Sequence, residues 1–102
     1  KIPFDYFSIA MAGSYFRLNA ADKANAILGR YGQICDEYLT FYLDQQPDFI
    51  NSIQNDIQYS LSMINRMAEM SRVYNQQELN LKLDSLLNQH YKFYVDKLSN
   101  TR

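Results

Sequence analysis

The sequence predicts an all-α fold in which four helices form two consecutive antiparallel hairpins. Apolar residues recur at helical spacing along most of the 102 positions. Valine occurs only at positions 73 and 95, and no useful stretch alternates with the period of two that a half-buried strand requires. Two prolines, three glycines and two short polar turns divide the chain into its predicted helices. One domain with a single modest core is expected over residues 1–102.

The first hairpin is predicted at residues 1–44, with helices near 5–18 and 21–43. Asn19 suits the left-handed conformation that often ends a helix. Ala12, Gly13 and Ala24 are small enough for the two helices to approach closely. This pattern is typical of tetratricopeptide-like hairpins, which bury little surface alone and stack on neighbouring hairpins.

Gly29 and Gly32 lie inside the second predicted helix, where each costs about 1 kcal/mol relative to alanine. Two interpretations stay open. Either the helix tolerates local flexibility, or the glycines mark close contact with a crossing helix.

A longer hairpin is predicted at residues 47–99, with helices near 48–74 and 76–98. Pro47 suits a first helical turn, and the short turn at 75–77 makes these two helices antiparallel. A row formed by Met63, Met67 and Met70 widens the apolar face of the earlier helix, either as core or as an adaptable groove for a partner helix. Core is the favoured interpretation. The hairpin is at best a degenerate copy of the first and can serve as a terminal cap.

The predicted core combines apolar residues from both hairpins. It consists of Tyr15, Ala24, Leu28, Ile34, Ile53, Ile57, Leu61, Ile64, Leu83, Leu86 and Leu87.

Charge and composition exclude several classes of protein. Ten Lys and Arg residues balance eleven Asp and Glu residues, so the basic footprint of a nucleic-acid-binding protein is absent. No apolar run approaches the roughly 18 residues of a membrane span, and no signal-peptide pattern is present. The chain begins at Lys1 rather than methionine, which, with the repeat-like opening, favours a domain cut from a longer protein.

The sequence offers no catalytic constellation. His90, the only histidine, lies on the apolar side of the last helix and is expected to be a core or edge residue. Cys35 stands beside two acidic residues and is expected to be a buried packing residue. No phosphate-binding loop, metal-binding spacing or hydrolase motif occurs. We therefore predict no enzyme activity, no cofactor and no metal site for this domain.

The run Ile2-Pro3-Phe4-Asp5-Tyr6-Phe7-Ser8-Ile9, with segments 14–16, 22–25 and 36–43, resembles a known family. It is similar to the soluble C-terminal helical-repeat tail of bacterial multi-pass membrane proteins akin to protein O-mannosyltransferases. The resemblance implies a parent glycosyltransferase that uses a lipid-linked sugar donor and carries its catalytic acidic residue in a membrane-proximal loop. No such loop occurs here, so no catalytic residue is carried over. The resemblance further implies upstream helical repeats and a soluble domain tethered at the extracytoplasmic face of the inner membrane.

Two functions are therefore expected as alternatives. One is a non-catalytic accessory or protein-interaction domain of a membrane glycosyltransferase-like protein. The other is a tetratricopeptide-like adaptor that binds peptides or mediates oligomerisation and is unrelated to sugar transfer.

The candidate interaction surface lies on the first helix. Phe4, Phe7 and Met11 are expected to form a seam with a preceding repeat or with a second copy of the chain. Tyr6, Ile9, Phe16 and Arg17 are expected to line the concave side, where a peptide or protein partner would bind.

Overall fold

The computed structural model describes the backbone of residues 6–99 and the side chains of residues 7–99. Within this range the chain forms helices and no strand, which confirms the all-α prediction. The helices are α1 (Tyr6–Arg17), α2 (Ala21–Leu43), α3 (Pro47–Ser52), α4 (Gln54–Val73) and α5 (Gln77–Ser99). They assemble into an elongated body of 49 × 23 × 16 Å.

The turn between α1 and α2 is closed by Asn19 in the left-handed conformation, with φ 61°. The amide of Ala20 donates to the carbonyl of Tyr15 at 2.8 Å, and the amide of Asn19 donates to the carbonyl of Phe16 at 3.1 Å. These two bonds satisfy carbonyls that the end of α1 would otherwise leave unpaired. The predicted role of Asn19 is confirmed.

The turn between α4 and α5 repeats this geometry. Asn75 has φ 60°, the amide of Gln76 donates to the carbonyl of Ser71 at 2.7 Å, and the amide of Asn75 donates to the carbonyl of Arg72 at 3.1 Å. Both turns reverse the chain within a few residues, so α1 packs on α2 and α4 packs on α5.

The helix predicted at 48–74 is wrong in one respect, because it is broken at Ile53. An unbroken α-helix would pair the amide of Ile53 with the carbonyl of Phe49. The hydroxyl of Ser52 instead donates to that carbonyl at 2.6 Å, and the amide of Ile53 donates to the carbonyl of Ile50 at 3.1 Å. The bond from Ile53 to Ile50 spans three residues instead of four, and the Ser52 hydroxyl competes for the Phe49 carbonyl. Together they end α3, and Ile53 becomes the residue that precedes α4.

Helix α2 lies at the centre of the fold and contacts α1, α4 and α5. Near the start of α2, the side-chain amide Nδ2 of Asn25 donates to Oε1 of Gln76, the residue before α5, at 2.7 Å. Beyond its last residue, the carbonyl of Gln45 accepts a bond from Lys97 Nζ at 3.0 Å. The N-terminal ends of α2 and α5 are therefore in contact, and so are their C-terminal ends, which means that the two helices run parallel.

The two glycines of α2 have different surroundings. A Cβ atom built at Gly32 would lie 2.8 Å from Cδ2 of Leu83 on α5, whereas one built at Gly29 would meet nothing within 4 Å. Close helix contact therefore explains Gly32 but not Gly29.

Six members of the predicted core are buried, and the other five are partly buried and packed against it. The buried six are Ala24, Leu28, Ile57, Leu61, Ile64 and Leu83. Met63 and Met67 are fully buried, which favours core over groove for these two, while Met70 is partly buried at the margin. The core prediction omitted Leu39, Leu43, Ile50 and Tyr94, which are also buried. The expected burial of Cys35 is confirmed.

Candidate functional site

The outer face of α1 carries an exposed apolar stripe. Phe7 is 70% exposed, Met11 is 38% exposed and Leu18 is 74% exposed. Phe7 and Met11 are four residues apart on one side of α1. Leu18 follows Met11 by seven residues and is the first residue after α1. Phe7 and Met11 were predicted as members of a seam and lie at the surface as expected, whereas Phe4 lies outside the described residues. We call Phe7, Met11 and Leu18 the α1 stripe.

The predicted concave surface needs correction at two positions. Ile9 and Phe16 are only 8% and 7% exposed, so neither side chain is available as a surface group. The ring of Phe16 stacks on Tyr74 with centroids 4.5 Å apart and an interplanar angle of 11°. The prediction failed because α4 covers this side of α1. Arg17 is exposed, and Nη2 donates to Ser14 Oγ at 3.2 Å, while the side chain of Tyr6 lies outside the described set.

A groove of about 620 Å³ runs between α1 and α4. It is lined by Ile9, Ala10, Arg66, Glu69, Met70, Val73 and Tyr74, and so by none of the α1 stripe residues. At Gly13 an added Cβ would lie 3.3 Å from Cε of Met70, so the end of the Met70 side chain reaches α1 here. Val73, on the α4 side of the groove, is 72% exposed.

His90 is buried and bridges α5 and α2. Its Nε2 lies 2.7 Å from Oδ1 of Asp36, and the Thr40 hydroxyl donates to the same oxygen at 3.5 Å. The expectation of a core or edge histidine is confirmed by its 4% exposure. Sequence reasoning missed its partner, because Asp36 is 54 positions away and no local motif links the two.

The His90 ring also forms part of a groove of about 510 Å³ between α2 and α5. The other residues lining this groove are Thr40, Asp44, Gln89, Lys92, Phe93 and Asp96. Within residues 6–99, no group of three or more His, Cys, Asp or Glu residues is arranged to hold a metal ion. The hydrogen bond between His90 and Asp36 holds the imidazole between α5 and α2 and links the two helices.

Cys35 is fully buried in the core. Desolvation by this burial raises the pKa of its thiol to about 12. The thiol therefore stays protonated near neutral pH and lacks the thiolate that nucleophilic chemistry needs.

None of the described helices combines the length and the apolar character needed to cross a membrane.

The chain matches no protein-family model, no curated protein and no solved structure. The resemblance to the O-mannosyltransferase-like family gains no support from these comparisons.

Proposed function

We propose that this chain is a non-catalytic helical module that binds a helix of a protein partner through the α1 stripe. The exposed apolar residues of the stripe are the observation that supports this proposal.

Exposed apolar side chains such as those of the α1 stripe are less stable in water than when covered. Covering apolar surface contributes about 25 cal/mol per Å², and a contiguous apolar patch on a soluble protein often marks a binding surface. A partner helix presents apolar residues at intervals of three and four positions, which suits a stripe with the same helical spacing.

The partner we favour is a neighbouring helical hairpin in a tetratricopeptide-like stack. One feature supports this choice. Both hairpins end their first long helix with the same asparagine turn, as units of a repeated architecture would. The exposed side of α5 combines polar residues with the apolar side chains of Leu81, Tyr91, Phe93 and Val95. The exposed polar residues of α5 include Lys82, Ser85, Asn88, Gln89 and Lys92.

In this proposal the second hairpin is the cap, and the α1 stripe receives the adjacent repeat or a second copy of the chain.

The setting of the module is a further part of the proposal. We propose that the chain is an accessory domain tethered to a bacterial inner membrane through a glycosyltransferase-like parent. Only the resemblance of residues 2–9 and the later segments supports this setting. An adaptor unrelated to sugar transfer would use the same α1 surface.

Sedimentation velocity tests the α1 surface directly. The wild-type chain is expected to associate as its concentration rises, and the double substitution Phe7→Ser, Met11→Ser is expected to remain monomeric. Leu81→Ser is the matched control, because Leu81 on α5 is also 70% exposed and lies away from the stripe. Circular dichroism verifies that all variants stay helical. A wild-type chain that is monomeric at its highest soluble concentration, or equal effects of the two sets of substitutions, would contradict the proposal.

A further inference from the structure

Four aromatic side chains form a connected cluster where α2 ends and α3 begins. The ring of Tyr42 lies at its centre, with the centroid of Tyr38 at 4.6 Å, that of Phe41 at 4.9 Å and that of Phe49 at 6.1 Å. We call Tyr38, Phe41, Tyr42 and Phe49 the aromatic cluster.

This cluster is open to solvent. Phe41 is 61% exposed and Phe49 is 44% exposed, whereas Tyr38 and Tyr42 are partly buried and form its base. The described part of α1 has 12 residues and α2 has 23. Because the two helices are antiparallel from their shared turn, the first described residues of α1 lie near the middle of α2. The aromatic cluster lies beyond that point and is separate from the α1 stripe.

The surrounding sequence is uniformly acidic. Residues 31–65 contain five carboxylates and no Lys or Arg. The carboxylates belong to Asp36, Glu37, Asp44, Asp48 and Asp56.

None of these five carboxylates forms an ion pair with a lysine or arginine of residues 6–99. Lys97, which reaches this end from α5, donates to the carbonyl of Gln45 and lies over the ring of Phe93. Lys92 shares the α2–α5 groove with Asp44. The carboxylates of Asp48 and Asp56 are therefore the ones left for an external cation.

The charge of Asp56 acts on Tyr38 at the base of the cluster. The pKa of Tyr38 is raised first by burial, then by the charge of Asp56 and by Tyr42. Asp56 at the start of α4 thus lies within electrostatic range of the base of the cluster.

We propose that the aromatic cluster is a second binding surface, which takes an arginine-containing basic segment of a partner protein. A guanidinium group is planar and weakly hydrated, and it stacks on aromatic faces while it pairs with carboxylates. Phe41 and Phe49 supply exposed ring faces, and Asp48 and Asp56 supply the complementary charge. Phosphate-rich nucleic acids and anionic lipid surfaces would be repelled by the same carboxylates.

Fluorescence anisotropy with labelled peptides tests this surface on the whole chain. Oligoarginine, oligolysine and oligoglutamate peptides of equal length are the probes. Oligoarginine is expected to bind more tightly than oligolysine, because lysine cannot stack as a plane. Oligoglutamate is expected not to bind. Phe41→Ser is expected to weaken oligoarginine binding by about tenfold. It should also reduce the ratio of oligoarginine affinity to oligolysine affinity.

Tyr91→Ser is the matched aromatic control, because Tyr91 on α5 is 57% exposed and lies outside the cluster. Asp48→Asn with Asp56→Asn is expected to weaken the binding of both cationic peptides and to flatten its dependence on salt. Equal binding of the two cationic peptides, or equal effects of Phe41→Ser and Tyr91→Ser, would overturn the proposal. Phe41→Ser should leave the self-association seen in sedimentation velocity unchanged. A failure of the proposal for the aromatic cluster can therefore be distinguished from a failure of the proposal for the α1 stripe.

Discussion

Alanine substitutions at Gly29 and Gly32 test the packing of α2 on α5 with two changes one helical turn apart. Either substitution removes a glycine from a helix interior, which by itself stabilises the fold by about 1 kcal/mol. At Gly29 the new methyl group meets no atom within 4 Å, so the whole gain should appear in the free energy of unfolding.

At Gly32 the same methyl group would lie 2.8 Å from Cδ2 of Leu83, a side chain that is 1% exposed. Overpacking of a buried site costs about 1–3 kcal/mol. Gly32→Ala is therefore expected to range from neutral to about 2 kcal/mol destabilising after the helix gain is subtracted. Gly29→Ala should be the more stable variant by about 1–3 kcal/mol.

Urea unfolding followed by far-ultraviolet circular dichroism measures both values, since the chain has no tryptophan. The midpoint should move while the slope with denaturant stays constant. Leu83→Ala supplies the decisive background, because it removes the methyl group that clashes. There, Gly32→Ala should become stabilising by about 1 kcal/mol. If Gly32→Ala has the same effect with and without Leu83, close contact is not the reason for this glycine.

Four further predictions concern the core, the turns and the thiol. Leu61→Ala should cost about 2–5 kcal/mol in urea unfolding, since it leaves a cavity among buried side chains; a loss below about 1 kcal/mol would place Leu61 outside the core. Asn19→Ala and Asn75→Ala should each destabilise by about 1–2 kcal/mol because both positions have positive φ, whereas glycine at either position should be tolerated. Cys35 should resist alkylation by iodoacetamide in the folded chain and react after unfolding, as mass spectrometry would show; rapid modification of the native chain would contradict its burial. Because its pKa rises from 9.0 to about 12 on folding, the unfolded chain loses this proton first as pH rises. Wild type should therefore lose stability relative to Cys35→Ala above pH 9, by about 1.4 kcal/mol per pH unit, and a constant difference would refute this.

Local chemistry made the two turns and most helix limits predictable. Asn19 and Asn75 both tolerate the left-handed conformation, and the hydrogen bonds that close each turn join residues within five positions of each other. The helical spacing of Met63 and Met67 similarly indicated burial before any neighbour was known. The break at Ile53 is also local, but it depends on the rotamer of Ser52, which a periodicity analysis does not include.

The functional surfaces depended on packing between distant segments. Ile9 and Phe16 have the same apolar character as Phe7 and Met11, so sequence alone could not tell which pair α4 would cover. The Gly29 and Gly32 alternatives were separated only by the position of Leu83 on α5.

The sequence by itself determined that this protein is helical, where its chain reverses, and which stripes are apolar, because each of these follows from interactions within about one helical turn. The tertiary structure alone decided which stripe faces solvent and which distant side chains meet. Burial of a helix face depends on the direction from which other helices approach, and that direction is set by side-chain volumes at contacts such as Gly32 against Leu83. The pairing of His90 with Asp36 is decided in the same way, because α5 and α2 must first pack in parallel before the two groups lie within hydrogen-bonding distance.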